Sequence, residues 1–541
     1  MAYNLIEEAW IPVQREGGQT ELIAPWQMTE EPHPLRVAAP RPDFTGALTE
    51  FLIGLTQTCM SPGTEREWRK LRDTPPTPEA LREAFRVHSD AFHLDGDGPR
   101  FMQDLTLTPE EAVKPDPIGS ILIDSPGART SKLNIDLFIK RDRVNHLCPS
   151  CAATAIFTLQ CFAPAGGRNI RTSVRGGGPL GTLVLGKSLW ETAWNNVLTT
   201  NTLNTLGGDP SAPREGGLYP WLAPTRLSTN GEETHLAGVH PLHYYWGMPR
   251  RIRLVFEDGT STQCGVCNRP TEHLISSFLA RPGGYNYAGS WMHPLSPIRE
   301  MNQQFLAVKA SSDGLGYQNW LGLVYREVDQ TNPVQAAPVV RNYREQRVHP
   351  GGSSEADFRI WAYGYDMDNM KARSWCEGVM PAWSVGGDEA AQRLSLETSR
   401  LIRSATQVHE VLQWSLKEAF FSDFMKTRKQ ATYTESISTQ FWSGTRGTFF
   451  NALAELVQNL RRSEEPQFEI RRAWLGTTAA AAREIYTRLT ETESLMANDP
   501  KAYARGWNIL RNNLSPRNKK MAAILDLQPN EQVDPRTQEG R

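Results

Sequence analysis

Four of the seven cysteines in this 541-residue chain form two Cys-x-x-Cys pairs, Cys148/Cys151 in "HLCPSC" and Cys264/Cys267 in "QCGVC". A two-residue gap lets both sulfurs reach one ion from a tight turn, and two such knuckles complete a tetrahedral four-sulfur Zn2+ shell. Turn formers bracket the second pair: Gly265 lies within it and Asn268-Arg269-Pro270 follow it. The 112 residues between Cys151 and Cys264 exceed the interval of a zinc ribbon, so two free-thiol pairs and a redox couple stand as alternatives. A redox couple belongs at a strand-to-helix junction and does not come twice. Spacing therefore favours one shared zinc site, structural in kind because four cysteines leave no position for water. Cys59, Cys161 and Cys376 are isolated and read as buried small hydrophobes.

The only marked local charge lies around the first pair. From Arg129 to Arg175 there are eight basic residues (Arg129, Lys132, Lys140, Arg141, Arg143, Arg168, Arg171 and Arg175) against Asp136 and Asp142. Within it, "KLNIDLFIKRDRVNH" sets Phe138 among basic residues, as in a segment that stacks on a base and neutralises phosphates. "APAGGRNIRTSVRGGGP" carries five glycines in 17 residues, so its backbone can approach a ligand without side chains in the way. A solvated basic face with flexible loops would show the same composition. The run Gly181–Ser188, "GTLVLGKS", satisfies the phosphate-loop pattern, but Thr-Leu-Val-Leu reads as a strand and "RGGGPL" before it does not. No nucleotide site is expected there.

The elements that must hold these residues come in two styles. Up to about residue 385, short strand-like runs such as "RIRLVFED" alternate with Pro/Gly loops and modest helices such as "FTGALTEFLIGLTQTCM". Beyond it, apolar residues recur at helical spacing: Leu394, Leu401, Ala405, Val408, Leu412 and Leu416, then Phe449, Leu453, Leu456 and Leu460. Thr478, Ala482, Ile485 and Leu489 mark a third helix, and Tyr503, Trp507, Leu510 and Leu514 a fourth. The expected fold class is α+β: a large mixed α/β N-terminal domain over 1–385 with a four-cysteine zinc site, then a C-terminal four-helix bundle over 386–541. The last helix is basic, with Lys501, Arg505, Arg511, Arg517, Lys519 and Lys520 and no acid from Pro500 to Lys520.

Composition excludes several classes. A net charge of −2 with 39% hydrophobic and 22% charged residues fits a core-forming chain without a global polyanion-binding balance. The N-terminus has acids where a signal peptide needs basic residues, and no apolar run is long enough to span a bilayer. A soluble cytoplasmic protein without a membrane partner is expected. Eleven histidines include no His-x-x-x-His pair, and no nucleophile elbow or paired-carboxylate signature occurs, so no enzyme is expected. The rival reading is a P-loop or zinc-dependent enzyme of nucleic-acid metabolism.

Dispersed motifs carry a family resemblance: "NLIEEAWIPV", "RFMQD", "CPSCAATAIFTLQCFAPAGG" with "SVRGGGP", "GLYPWLAP", "CGVC" with "GSWMHPLSP", and "YGYDMDNMKARSW". Together, and in this order over nearly the whole chain, they resemble the CasA family, the large subunit of the type I-E CRISPR surveillance complex, Cascade. The resemblance implies a mixed α/β domain with zinc-binding cysteines (here Cys148, Cys151, Cys264 and Cys267) and a C-terminal four-helix bundle. It implies partners as well: other Cascade subunits, the CRISPR guide RNA, double-stranded target DNA and a helicase–nuclease effector that cuts. In such effectors base pairing reads the target, while the protein reads a short flanking duplex motif.

Site residues carry over position by position. The family's glycine loop falls on Ala165, Gly166, Gly167 and Arg168, where Arg168 is bulkier than the family's glycine. The family's basic-finger lysine falls on Pro282, leaving Arg281 as the neighbouring basic residue. The wedge that enters the duplex falls on Asp368 and Asn369, with Lys371 beside it, where the family has Asn-Gln. An Asp accepts from the guanine N2 amino group but cannot donate to acceptors on A·T pairs. The guide-RNA loop falls on Leu137, Phe138, Ile139, Lys140 and Arg141. The displaced strand would lie on the helical bundle, along Lys501, Arg505, Arg511, Lys519 and Lys520.

Overall fold

A computed structural model describes residues 3–527 apart from 105, 108–113, 135–141, 168, 312–313, 329, 349–355, 369–370, 421–429, 463–466 and 493. The chain divides into two compact units. The first comprises Met1–Ser312, Ala336–Gln346 and Arg359–Val379, and the second Asp313–Gln335, Arg347–Phe358 and Met380–Arg541. Two segments ahead of residue 385 thus belong to the second unit.

The first unit is organised around helix α1 (Pro42–Met60), whose side chains from Phe44 to Gln57 are almost all buried. A helix apolar on every side must be enclosed, and Phe51 shows how. Its ring meets Trp10, Phe92, Phe101, Phe157 and Trp246 edge-on, with centroids 5.2 to 6.0 Å apart, the arrangement that the ring quadrupoles favour. Phe157 belongs to α2 (Pro149–Phe162), which packs along α1. Near the N-terminus, strands β1 (Ile11–Gln14), β2 (Thr20–Ile23) and β3 (Arg36–Val37) form a small sheet in the order β2-β1-β3.

The strands that matter for function follow. After β4 (Gly181–Val184) come β5 (Arg251–Gln263) and β6 (Pro270–Arg281), a long antiparallel hairpin registered from Arg251↔Arg281 to Gln263↔Pro270. A short hairpin, β7 (Ile298–Met301) and β8 (Gln304–Ala307), is followed by β9 (Phe358–Asp368) and β10 (Lys371–Ala382). Strand β9 is central in a sheet ordered β10-β9-β4, with Val184 opposite Ile360 and Gly181 opposite Tyr363. The expected strand at "RIRLVFED" and helix at "FTGALTEFLIGLTQTCM" are both present. Of the isolated cysteines only Cys161 is buried, while Cys59 and Cys376 are half-buried.

In the second unit α3 (Asp388–Phe420) packs on α4 (Gln430–Arg462), α5 (Gln467–Thr492), α6 (Pro500–Asn513) and α7 (Lys519–Leu525). The apolar residues at helical spacing face inward: Leu394, Leu401, Ala405, Val408, Leu412, Phe449, Leu453, Leu456 and Ala482 are fully buried. Leu460 and Leu489, at the ends of their stripes, are half-buried. Gly506 lets α6 approach closely, since a Cβ there would lie 2.6 Å from the Ser415 carbonyl oxygen and 2.4 Å from Tyr486 Oη. The basic C-terminal stretch is two helices and not one. α6 ends at Asn513, and Asn518 caps α7 by accepting from the Lys520 and Met521 amides, because an N-cap side chain satisfies amides a continuing helix would not free. No described helix is long and apolar enough to cross a membrane.

Two buried histidines of the first unit make its stability pH-dependent. His243 Nδ1 donates to the Gly217 carbonyl (2.8 Å) and Nε2 accepts from Tyr287 Oη (3.0 Å). His293 Nε2 donates to the Tyr244 carbonyl, and Nδ1 accepts from the Leu295 amide. Both rings are satisfied as neutral imidazoles. Burial pushes the His243 imidazole down to about 4 and that of His293 well below its ordinary value. The unfolded chain therefore takes up protons first, and stability should be flat above about pH 6.5 and fall towards pH 4. His243 alone accounts for about 3 kcal/mol over that window, at about 1.4 kcal/mol per unit. Urea midpoints at pH 7.5 and 4.5 check this. Equal midpoints, or an equal drop in His243→Asn, would contradict it.

Candidate metal centre and nucleic-acid interface

The two cysteine pairs meet. Their four sulfurs lie within 4.8 Å of one another, with Cys148 Sγ 3.7 Å from Cys267 Sγ. The first pair opens α2: Cys148 is its N-cap and Pro149 its first residue, so the helix begins within the motif. The second pair occupies the turn of hairpin β5–β6. There the Cys264 amide donates to the Arg269 carbonyl (2.9 Å), the Asn268 amide donates to the Cys264 carbonyl (2.9 Å), and Asn268 is left-handed at φ 58°. Backbone bonds bring the two together: Gly265 N to His146 O (2.8 Å), and Leu147 and Ile275 each donating to the other's carbonyl. Gly265 is required, because a Cβ would sit 3.1 Å from Val144 Cα.

Electrostatics divide the cluster. Thiol hydrogen bonds from Cys148 and Cys151 draw Cys267 down to about 7 and, with one from Cys267, draw Cys264 lower still. Cys151 is pushed up, as its proton is shared with Cys148, Cys264 and Cys267. Reduced thiols crowded in this way are metal-binding chemistry, and this buried group could hold an ion such as zinc. From Ile275 to Arg281 runs roughly 20 Å of strand, so the centre braces the hairpin at a distance from Arg281.

At the far end of β6, Arg281 is exposed, and the turn after it grips the glycine loop. The Gly283 amide donates to the Asn169 carbonyl (2.8 Å), and the Gly283 carbonyl accepts from Ser228 N. Gly167 is exposed at φ 117°, with nothing within 4 Å of where a Cβ would stand. Gly166 is exposed and packs beside Ile170, and Ala165 is half-buried. An Arg250 guanidinium on the Pro164 carbonyl and Ile170 N on the Gly167 carbonyl (3.2 Å) fix the loop's limbs. The loop is thus anchored at both sides with its glycine apex outward.

The β9–β10 hairpin presents Asp368 and Lys371, both exposed, at its tip. Arg373 pairs with Asp366 (2.7 Å) and lies 4.0 Å from Asp368. The stem rests on the end of the glycine segment, where Gly178 admits Met367: a Cβ would meet its Cγ at 2.4 Å. Arg168 and Asn369 lie outside the described residues, as do Leu137, Phe138, Ile139, Lys140 and Arg141. Lys501, Arg505, Arg511, Lys519 and Lys520 are all exposed, the first three on α6 and the last two on α7. Among the described residues, Lys520 approaches an acid, Glu410, at 3.9 Å.

Arg175 departs from the basic-patch reading. Its side chain is 1% exposed and pairs with Glu50 of α1 (2.6 Å), against Phe162. Tyr363 Oη of β9 donates to the same carboxylate (3.0 Å). Glu50 thereby ties the glycine segment and the hairpin strand to one helix, a role composition could not reveal. The signal was an acid inside "ALTEFLIGL", since a charge in an enclosed helix needs a partner. Gly181–Val184 is a buried strand, and the Gly186 and Lys187 amides donate to Thr192 Oγ1 (3.0 Å) and Glu191 Oε2 (2.6 Å). Those amides are taken, and the run forms no phosphate cradle.

Residues 4–485 match the family described as CRISPR-associated protein Cse1. The chain belongs to the Cse1 (CasA) family. Its members are the large subunit of the type I-E surveillance complex, Cascade, a non-catalytic component of CRISPR defence. The fold is similar to Thermobifida fusca Cse1, with a TM-score of 0.71 at 16% identity over 97% of this chain and 98% of that one. It is also similar to Thermus thermophilus CasA (TM-score 0.67, 18% identity, 95% and 99% of the chains). A chain of a CRISPR RNA-guided surveillance complex matches with a TM-score of 0.64 at 15% identity, over 95% and 100% of the chains.

Proposed function

We propose that this Cascade large subunit reads, from the minor groove, the short motif flanking a target in double-stranded DNA, wedges the duplex open for guide pairing, and helps recruit the helicase–nuclease. One observation carries the reading: a side-chain-free, outward glycine apex is clamped to the Arg281 turn through Asn169 and to the wedge hairpin through Gly178. A bare backbone can press into a minor groove where side chains would collide, and a polar hairpin tip can occupy the space of the first base pair. That insertion offsets an unstacking cost of a few kcal/mol. Arg281 serves as the basic finger. Duplex opening then draws on contacts and guide pairing, with no chemistry by this chain.

The remaining parts follow the same logic. Cys148, Cys151, Cys264 and Cys267 hold a structural Zn2+ that fixes the hairpin bearing Arg281. Leu137, Phe138, Ile139, Lys140 and Arg141 dock on the guide RNA in the cytoplasmic complex with the other subunits. The long helices act as a four-helix bundle with α7 appended, and Lys501, Arg505, Arg511, Lys519 and Lys520 line the path of the displaced strand.

Assembled complexes carrying guide RNA, offered targets with correct and scrambled flanking motifs, test this. Gly167→Leu puts a side chain at a φ that costs about 1–3 kcal/mol and should reduce first contact with the correct motif by roughly tenfold or more. Asn369→Ala should leave that contact and slow strand separation, read by permanganate reactivity of unpaired thymines. Equal loss on both motifs for the glycine-loop variant would overturn the assignment.

A further inference from the structure

Beside the glycine segment the first unit has a cleft of about 590 Å3 that no part of this reading uses. One wall is Thr172–Gly176, and the other is hairpin β7–β8 with the strand after it. Two exposed cations, Arg299 and Lys309, line it, and among the described residues no carboxylate does. Arg175 also reaches it but is neutralised by Glu50. Between the cations stand Met301 and Leu306, 39% and 40% exposed, with half-buried Phe305 beside them and Trp291 behind. Arg299 and Leu306 are cross-strand partners and Met301 is two residues on, so all three share one face of the hairpin. Asn302 and Gln303 are both left-handed (φ 51° and 62°), the two-residue turn that fits the strand twist.

Exposed large apolar side chains beside cations, without an acid, suit a ligand with a flat apolar face and negative charge. A nucleotide is that ligand: the base packs on the apolar face and the phosphate meets the cations. The cleft is also of the size of small-molecule sites. Its position selects the source. The Leu180 amide donates to the Val308 carbonyl (2.7 Å), Lys309 bridges to Pro179, and Ala310 bridges to Asp366 on β9. The rim therefore continues into the strand that ends at Asp368, so a strand parted at the hairpin tip passes this opening first.

We propose that this cleft captures an unpaired nucleotide of the displaced DNA strand next to the flanking motif, with the base against Met301, Phe305 and Leu306 and the phosphate on Arg299 and Lys309. The proposal rests on the strand-opening reading above. Its test uses the assembled complex and a target duplex with 5-iodouracil at the first displaced-strand position. Photocrosslinking should map to residues 298–309, and Arg299→Glu/Lys309→Glu should reduce it at least fivefold. The full chain alone should bind a single-stranded DNA 12-mer with a salt slope lowered by about 1.4 in that variant, about 0.7 per lost phosphate contact. Met301→Ala/Leu306→Ala should weaken binding severalfold at unchanged slope. Crosslinks elsewhere, parental binding by both variants, or a preference for RNA of the same sequence would overturn the site. Flank discrimination by the wild-type complex reports separately on the underlying reading, and the single-strand arm decides this site in either case.

Discussion

Cys151→Ser is expected to strip the chain of one zinc and to unfold the first unit at temperatures where the parent is folded. The four sulfurs lie within 4.8 Å, and without an ion the crowded thiols can only share protons. Peptides that fold around zinc gain about 10 kcal/mol or more from the metal, whereas whole domains are stable by about 5–15 kcal/mol. The centre joins the start of α2 to the tip of hairpin β5–β6, where hydrogen bonds from His146 and Leu147 also meet, so the loss should spread along both elements. Metal analysis and calorimetry check this. A parent chain free of zinc, with all four thiols alkylated in the native state, would sink the centre.

Glu50→Gln should cost about 3–5 kcal/mol, because it strands the Arg175 guanidinium in a site 1% exposed. Instability alone would not show that Glu50 positions the reading elements. Glu50→Leu with Arg175→Met removes both charges, and such replacements are often neutral in stability. That double variant should melt near the parent yet open target duplexes more slowly, because Tyr363 has lost its acceptor and the glycine segment its anchor. Parental opening by a stable double variant would reduce Glu50 to a purely structural role.

The sequence exposed what is local. Two-residue gaps marked both knuckles, helical spacing marked the buried faces of α3, α4 and α5, and Thr-Leu-Val-Leu marked a strand inside a false phosphate loop. Each follows from neighbours within a few turns of chain. What stayed hidden depends on distant partners. Arg175 counted as surface charge because Glu50 lies 125 positions away. The break between α6 and α7 passed unseen because Asn518 can cap or continue a helix equally well by composition. The second unit takes Asp313–Gln335 and Arg347–Phe358 from ahead of the long helices, which no change in composition announces. The grip of Gly283 on Asn169 is a single backbone bond, and backbone bonds leave no trace in side-chain chemistry.

The pairing of β4 with β9 bears on how the protein is made. Val184 faces Ile360, so on a ribosome adding about 5–20 residues per second the earlier strand waits on the order of ten to thirty seconds for its neighbour. Leu183 and Val184, fully buried in the finished protein, are unsheltered during that interval, and the strand's edge is open to other nascent chains. The four cysteines emerge well before β9, so the metal centre can close while the sheet is still incomplete. Slow synthesis and chaperone cover should therefore govern yield. A fragment ending before Phe358 would carry a finished metal centre and an unpaired edge, a combination that favours aggregation over a soluble half-protein.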